Sequence, residues 1–183
     1  MAKTQYYTAT TLDGFIADQD NSLQWLFDAD SGGNDAFKPF FAGVGAFAMG
    51  RTTWEWVIDH ENLRADPSAW HRFYGDVPAW VFSNRDLEPV PGVDVRFVRG
   101  DVRPVHADMR AAAGDRNIWL VGGGELVGQF VDAGLLDEII VGVAPVTLGA
   151  GAPLLPRRLL SDRLTLTSVR QEHQFAYLTY EVA

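Results

Sequence analysis

The 183-residue chain has no cysteine, which excludes disulfides, thiolate metal sites and cysteine nucleophiles at once. Positive charge is scarce too: 15 Lys and Arg stand against 24 Asp and Glu, giving a formal net charge of -9 and a pI near 4.7. An acidic surface repels both a phosphate backbone and an anionic bilayer, so neither nucleic acid nor membrane is expected as the main partner. No apolar run approaches the roughly 18 residues that a membrane span needs. Met1 to Gln5 shows no secretory-leader pattern, and the expected setting is cytoplasmic. The four histidines, His60, His71, His106 and His173, have no short spacing that would put two on one helix or strand face, so no metal site is expected. The Gly-x-Ser-x-Gly elbow of the α/β-hydrolases is missing as well.

What is present is a balanced globular composition, 47% hydrophobic and 21% charged, long enough for one good core and short for two. A single domain is expected. Strand-like and helix-like stretches alternate along it. Residues 6–11, 45–49, 79–82, 93–98, 117–121 and 138–144 are β-branched or apolar runs bounded by turn formers. Between them, residues 34–42, 52–58, 105–113 and 125–133 carry helical spacing. Asn34 or Asp35 would cap the first of these, with Phe37, Phe40 and Phe41 on one face. Residues 18–35 read as a long loop with embedded aromatics, a candidate lid, and residues 60–75 as loop plus helical turns. The end of the chain alternates like an antiparallel pair. Together these predict an α/β three-layer αβα domain: a mixed, mostly parallel sheet of about eight strands with a C-terminal antiparallel pair.

Two short turns stand out. Met49-Gly50-Arg51-Thr52-Thr53-Trp54-Glu55 follows one strand-like run, and Gly122-Gly123-Gly124-Glu125 follows another ending at Val121. A strand that turns through glycine into a helix leaves free backbone N–H groups and a positive dipole end at one spot, which suits a phosphate. Two such spots imply a nucleotide or dinucleotide. A conventional Rossmann half does not fit, because Gly122-x-Gly124-x-x-x-Gly128 is one residue too long and lies too late in the chain. A P-loop fails for want of Gly-Lys-Ser/Thr.

In order and spacing, Asp13-Gly14-x-Ile16-Ala17, Trp25, Met49-Gly50-Arg51-x-Thr53-Trp54-Glu55, Ser83-Asn84-Arg85 and Val121-Gly122-Gly123-Gly124 resemble the dihydrofolate reductase superfamily. The chain looks most like its riboflavin-biosynthesis branch, the RibD C-terminal domain family. The resemblance implies NADPH as cofactor. Gly50, Arg51, Thr52 and Thr53 would hold its phosphates on one side, and Gly122, Gly123 and Gly124, with Glu125 and Leu126 opening the next helix, on the other. Ser83, Asn84 and Arg85 would line the adenosine, while Ala9 and Ile16 would flank the nicotinamide. Asp13, Trp25 and Phe37 would face the substrate, and Asp30 or Asp35 would donate a proton. A homodimer is the family expectation.

Some family features are replaced. The threonine that partners the acid in dihydrofolate reductases falls at Gly142, and the arginine that grips folate's tail falls at Val77, so folate itself is not the expected substrate. No cysteine is available for a zinc deaminase half. The implied function is an NADPH-dependent reductase of a small heterocyclic or ribosylamino-pyrimidine substrate. A broad-specificity or dihydrofolate-type reductase and a non-catalytic NADPH-binding protein are the alternatives.

Overall fold

The computed structural model describes residues 2–29 and 36–183. Among these described residues ten strands and six helices follow one another as β1 Thr4–Thr11, β2 Phe15–Ala17, α1 Gln24–Phe27, α2 Phe37–Ala42, β3 Val44–Gly50, α3 Arg51–His60, α4 Ser68–Tyr74, β4 Ala79–Phe82, β5 Val95–Val98, α5 Val102–Ala113, β6 Asn117–Gly122, α6 Gly124–Asp132, β7 Glu138–Ala144, β8 Ala152–Pro153, β9 Leu164–Glu172 and β10 Phe175–Val182. Eight strands form the main sheet in the order β5-β4-β3-β6-β1-β7-β10-β9. The first six run parallel, and β10 and β9 close one side antiparallel. β2 and β8 pair as a separate small antiparallel sheet.

Side-chain size sorts the two faces. On β3, Ala46 and Ala48 face the core beneath α5 and α6, whereas Phe47 and Met49 join an aromatic core with Trp54, Trp70 and Trp119. Small residues on one side of a strand let helices approach closely, and large ones on the other fill a wider gap. α5 shows the helical side of this logic. Asp101 caps it by accepting a hydrogen bond from the Arg103 N–H at 3.0 Å. Its buried residues Val102, Val105, Met109 and Ala113 recur at three- and four-residue steps.

Several boundaries differ from the sequence reading. The helix after the first glycine turn starts at Arg51 and runs to His60, with Gly50 at its N-cap and no side-chain capping bond. That after the second starts at Gly124. Residues 68–74 are an ordered helix, not helical turns, because Ala69 and Trp70 are buried against the aromatic core. Part of the long loop is helical as α1. The proposed caps Asn34 and Asp35 lie outside the described residues. No helix among the described residues is long and apolar enough to cross a membrane, and no group of three or more potential metal-ligating side chains occurs among them.

One pH effect follows from the packing. The His106 ring nitrogen Nε2 lies 2.8 Å from Thr4 Oγ1. Burial first, and then the nearby Arg110 cation, lower its pKa from the ordinary 6.5 against the pull of Asp137. A histidine held neutral in the fold binds fewer protons than in the unfolded chain. Its contribution is therefore complete above the unfolded pKa and is lost as the pH falls below it. Urea midpoints at about pH 7.5 and pH 5.5 are expected to drop less in a His106→Gln variant than in the native chain.

Candidate active site

The glycine turns converge because their strands are neighbours. Met49 at the end of β3 sits opposite Gly122 at the end of β6. A Cβ added at Gly50 would stand 3.7 Å from the Gly123 nitrogen and 3.8 Å from the Gly122 oxygen. Both N-caps, Gly50 and Gly123, are extended, so α3 and α6 start side by side at the carboxyl ends of parallel strands. First-turn N–H groups of a helix have no intrahelical acceptor, and here two sets of them share one place. The peptide between Gly122 and Gly123 is cis.

This place is one end of a cleft of about 1100 Å³. The glycine end is formed by Gly50 to Thr53 and Val121 to Leu126. Ala9 of β1 and Ile16 of β2 line the cleft as well, as does an aromatic set, its aromatic end, that includes Tyr7, Phe37, Trp56, Trp119, Phe175 and Tyr177. A Cβ at Gly123 would meet only the Ile16 Cδ1, at 4.0 Å, and so would project into the opening. Gly124 has the opposite reason to be glycine: there a Cβ would stand 2.4 Å from the Pro153 oxygen and 2.6 Å from the Leu154 oxygen. The strap at residues 152–156 is pressed onto the start of α6, held by the Tyr6 hydroxyl donating to the Leu154 oxygen at 3.0 Å and the Leu154 N–H donating to the Gly14 oxygen at 2.9 Å.

Two charged side chains line the cleft among the described residues, and both are paired. Arg51 donates to the Glu55 carboxylate at 2.7 and 2.9 Å across one helical turn. Glu125 accepts two bonds from Arg157, at 2.7 and 3.0 Å, and Arg157 also donates to Asp132 at 2.8 Å. The guanidinium holds the Glu125 carboxyl below its usual range. An acidic first turn would oppose an anion at the α6 N-terminus, and Arg157 neutralises it. Gly128 makes this possible, since a Cβ there would lie 2.6 Å from the Arg157 Cζ.

Of the residues singled out in the sequence, Ala9, Ile16, Phe37, Gly50 to Thr53 and Val121 to Leu126 line this one cleft. Ser83 to Arg85 do not. They begin one residue beyond Phe82, which pairs with Gly50, and Ser83 and Arg85 border a separate hollow of about 220 Å³. The Ser83 hydroxyl is engaged in its own turn, donating to the Arg85 oxygen at 2.8 Å and accepting from the Arg85 N–H at 3.0 Å. Asp13 also lies outside the cleft, and its carboxylate works as a clasp. It accepts from the Thr11 hydroxyl at 2.5 Å and from the N–H groups of Leu148 and Gly149, tying the β1–β2 turn to the loop after β7. Those bonds, the Thr11 one foremost, hold its pKa low. Loss of the clasp in an Asp13→Ala variant is expected to loosen the residue 148–149 loop, read as faster amide exchange at Leu148 and Gly149. Trp25 is buried with Ala144 and Phe175 rather than exposed to the cleft, and its indole N–H has no partner among the described residues. Asp30 and Asp35 fall outside the described residues.

Of the aromatic end, sequence reasoning named Phe37 and passed over Tyr7, Trp56, Trp119, Phe175 and Tyr177. Tyr7 stacks on Phe40 with centroids 4.2 Å apart, and its carbonyl accepts from the Trp119 indole at 3.0 Å. Tyr177 lies against Gly142 of the neighbouring strand, where a Cβ would come within 2.9 Å of its ring. Gly142 is the position at which the resemblance placed a missing threonine. Alternation along β1 and β10 was the available signal, but it does not say which face meets a cavity.

An eight-stranded mixed sheet of this order, covered on both faces and closed by an antiparallel C-terminal pair, defines a dihydrofolate reductase-like fold. Within that fold the chain belongs to the family described as the RibD C-terminal domain, which it matches over residues 2–174. It is 32% identical to the uncharacterized Bacillus subtilis (strain 168) protein YwjB over 97% of both chains. Among solved structures it is similar to a Shewanella sp. PV-4 protein named for riboflavin biosynthesis, with a TM-score of 0.79, 26% identity and 99% of each chain covered. Acinetobacter baumannii RibD matches all of this chain with 58% of its own, at a TM-score of 0.64 and 16% identity. The Thermotoga maritima diaminohydroxyphosphoribosylaminopyrimidine deaminase/5-amino-6-(5-phosphoribosylamino)uracil reductase does so with 57% of its own, at 0.62 and 15%.

Proposed function

We propose that the protein is an NADPH-dependent reductase of a small heterocyclic substrate, built on the reductase fold it shares with the RibD proteins. The observation that carries this reading is the convergence of two glycine-capped helix N-termini on one end of a cleft whose other end is aromatic. A pyrophosphate suits the glycine end, where Gly50 and Gly123 leave the backbone bare and Arg51 adds a cation. When bound, the cofactor supplies the hydride, and the chain's residues do the rest. Ala9 and Ile16 would set the height of the nicotinamide. The aromatic wall would hold the acceptor ring against it and exclude water. The proton that must reach the heteroatom of a reduced C=N or C=O bond comes from water or from an acid at the cleft, for which the sequence offers Asp30 and Asp35.

Calorimetric titration with NADPH and NADH side by side tests the reading. Saturable binding with a preference for NADPH is expected, and binding of neither would reject the function. Arg51→Ala is expected to weaken NADPH binding by about 1–3 kcal/mol, roughly 5- to 150-fold, because a phosphate in place of the exposed Glu55 pair is a charge-assisted partner. A homodimer is part of the proposal. β9 is an edge strand on which Leu166 and Val169 are 50% and 64% exposed, a surface that an isolated domain would ordinarily blunt. Sedimentation of the native chain is expected to give a dimer, and of Val169→Glu a shift toward monomer.

A further inference from the structure

We infer that the aromatic end of the cleft takes an uncharged planar ring, anchored by the Tyr7 and Tyr177 hydroxyls, and not a sugar phosphate. The inference rests on the reductase reading and narrows its substrate.

Charge decides against the phosphate. The charged side chains that line the cleft among the described residues, Arg51 and Glu125, are both at the glycine end and both ion-paired. Lys38 on α2 is exposed and does not line the cleft. Arg170 lies over the Tyr177 ring, 5.0 Å from its centroid, and is bound to Glu172. A dianion moved from water to such a wall would lose its hydration without gaining a partner, inside a chain whose net charge is already -9.

The wall itself favours a flat neutral guest. Phe37 packs edge-on against Trp119, with centroids 5.3 Å apart, and the Tyr7–Phe40 stack braces the side below. Rings locked by other rings offer rigid apolar faces at low entropic cost. Phenols stand among these rings, those of Tyr7 and Tyr177 included. Gly142 leaves the space that seats the Tyr177 ring, and Tyr177 and Tyr7 both line the cleft. Burial, the largest influence on each, raises both pKa values, so both stay protonated near neutral pH and can donate a hydrogen bond while carrying no charge. Donors of this kind suit a ring carbonyl or ring nitrogen.

The test is calorimetric titration of NADPH-saturated protein with three probes: 6,7-dimethyl-7,8-dihydropterin, 5-amino-6-ribosylaminouracil, and the 5′-phosphate of the latter. The dihydropterin is expected to saturate, and the 5′-phosphate to bind at least threefold more weakly than its matched nucleoside. Equal or tighter binding of the phosphorylated form overturns the inference. Tyr7→Phe and Tyr177→Phe, each checked for a native urea midpoint, are expected to weaken the dihydropterin fivefold or more; native affinity in both removes the anchor. Saturation by NADPH without any binding of the dihydropterin sinks this inference alone, whereas failure of NADPH to saturate sinks the reductase reading beneath it.

Discussion

The Gly124→Val variant is expected to lose NADPH binding by on the order of 100-fold and to be destabilised by about 1–3 kcal/mol. The added Cβ would meet the Pro153 and Leu154 carbonyl oxygens at 2.4 and 2.6 Å, and those are backbone atoms that no rotamer change can move aside. Either the strap gives up the bonds that fix it, Tyr6 to the Leu154 oxygen and Leu154 to the Gly14 oxygen, or α6 is pushed away from it. Both shifts displace the first turn of α6 from the first turn of α3, and the pyrophosphate site requires the two together. Gly123→Val separates the causes. Its Cβ meets nothing closer than Ile16 Cδ1 at 4.0 Å, so the fold should keep nearly native stability while the side chain fills the cradle and reduces binding. Calorimetric titration and urea unfolding of the two variants check this. Native NADPH affinity in both would remove the glycine turns from the cofactor site.

How much of this site was legible beforehand depends on what each feature needs in order to exist. Strands Ala79–Phe82 and Glu138–Ala144 were bounded to the residue, because each is an apolar run that fills its own length. Both glycine turns were legible for the same local reason. Their convergence needed the family resemblance or the sheet order, since β6 follows β3 in space while three helices and two strands come between them in the chain. Helix α4 was missed although Trp70, Phe73 and Tyr74 repeat the spacing of Phe37, Phe40 and Phe41: the segment is short, Phe73 is half-exposed, and burial against Phe47 orders it. The β2–β8 pair rests on two short segments far apart in sequence, too little for any pattern. Asp13 was correctly a turn former, but its aim at Leu148 and Gly149 is a tertiary fact. Tyr7 and Tyr177 stood in plain alternation, and Gly142 looked like a loss of function when it is the space that seats Tyr177.

Removing the centre of the aromatic core should show how far the site depends on it. Trp70 is 1% exposed and packs against Tyr74, Trp54 and Phe47, with centroids 4.5, 5.6 and 5.7 Å away. Trp70→Ala leaves a cavity bounded by large rings that cannot collapse into it, and the expected cost is about 3–5 kcal/mol. For a chain of this length that is a fall of roughly 6–20 °C in Tm, a large part of a total stability of about 5–15 kcal/mol. Function should suffer beyond the loss of folded protein. Tyr74 reaches the cleft from the same helix, and Trp54 sits on α3 one residue after Thr53, so slackening this cluster frees both the aromatic wall and the helix start that meets the phosphates. Measured at a temperature where the variant is still folded, NADPH affinity is expected to drop along with stability. If only stability drops, the aromatic core is a support for the sheet and the cofactor site is held from the α5–α6 side, through Gly124 and the strap.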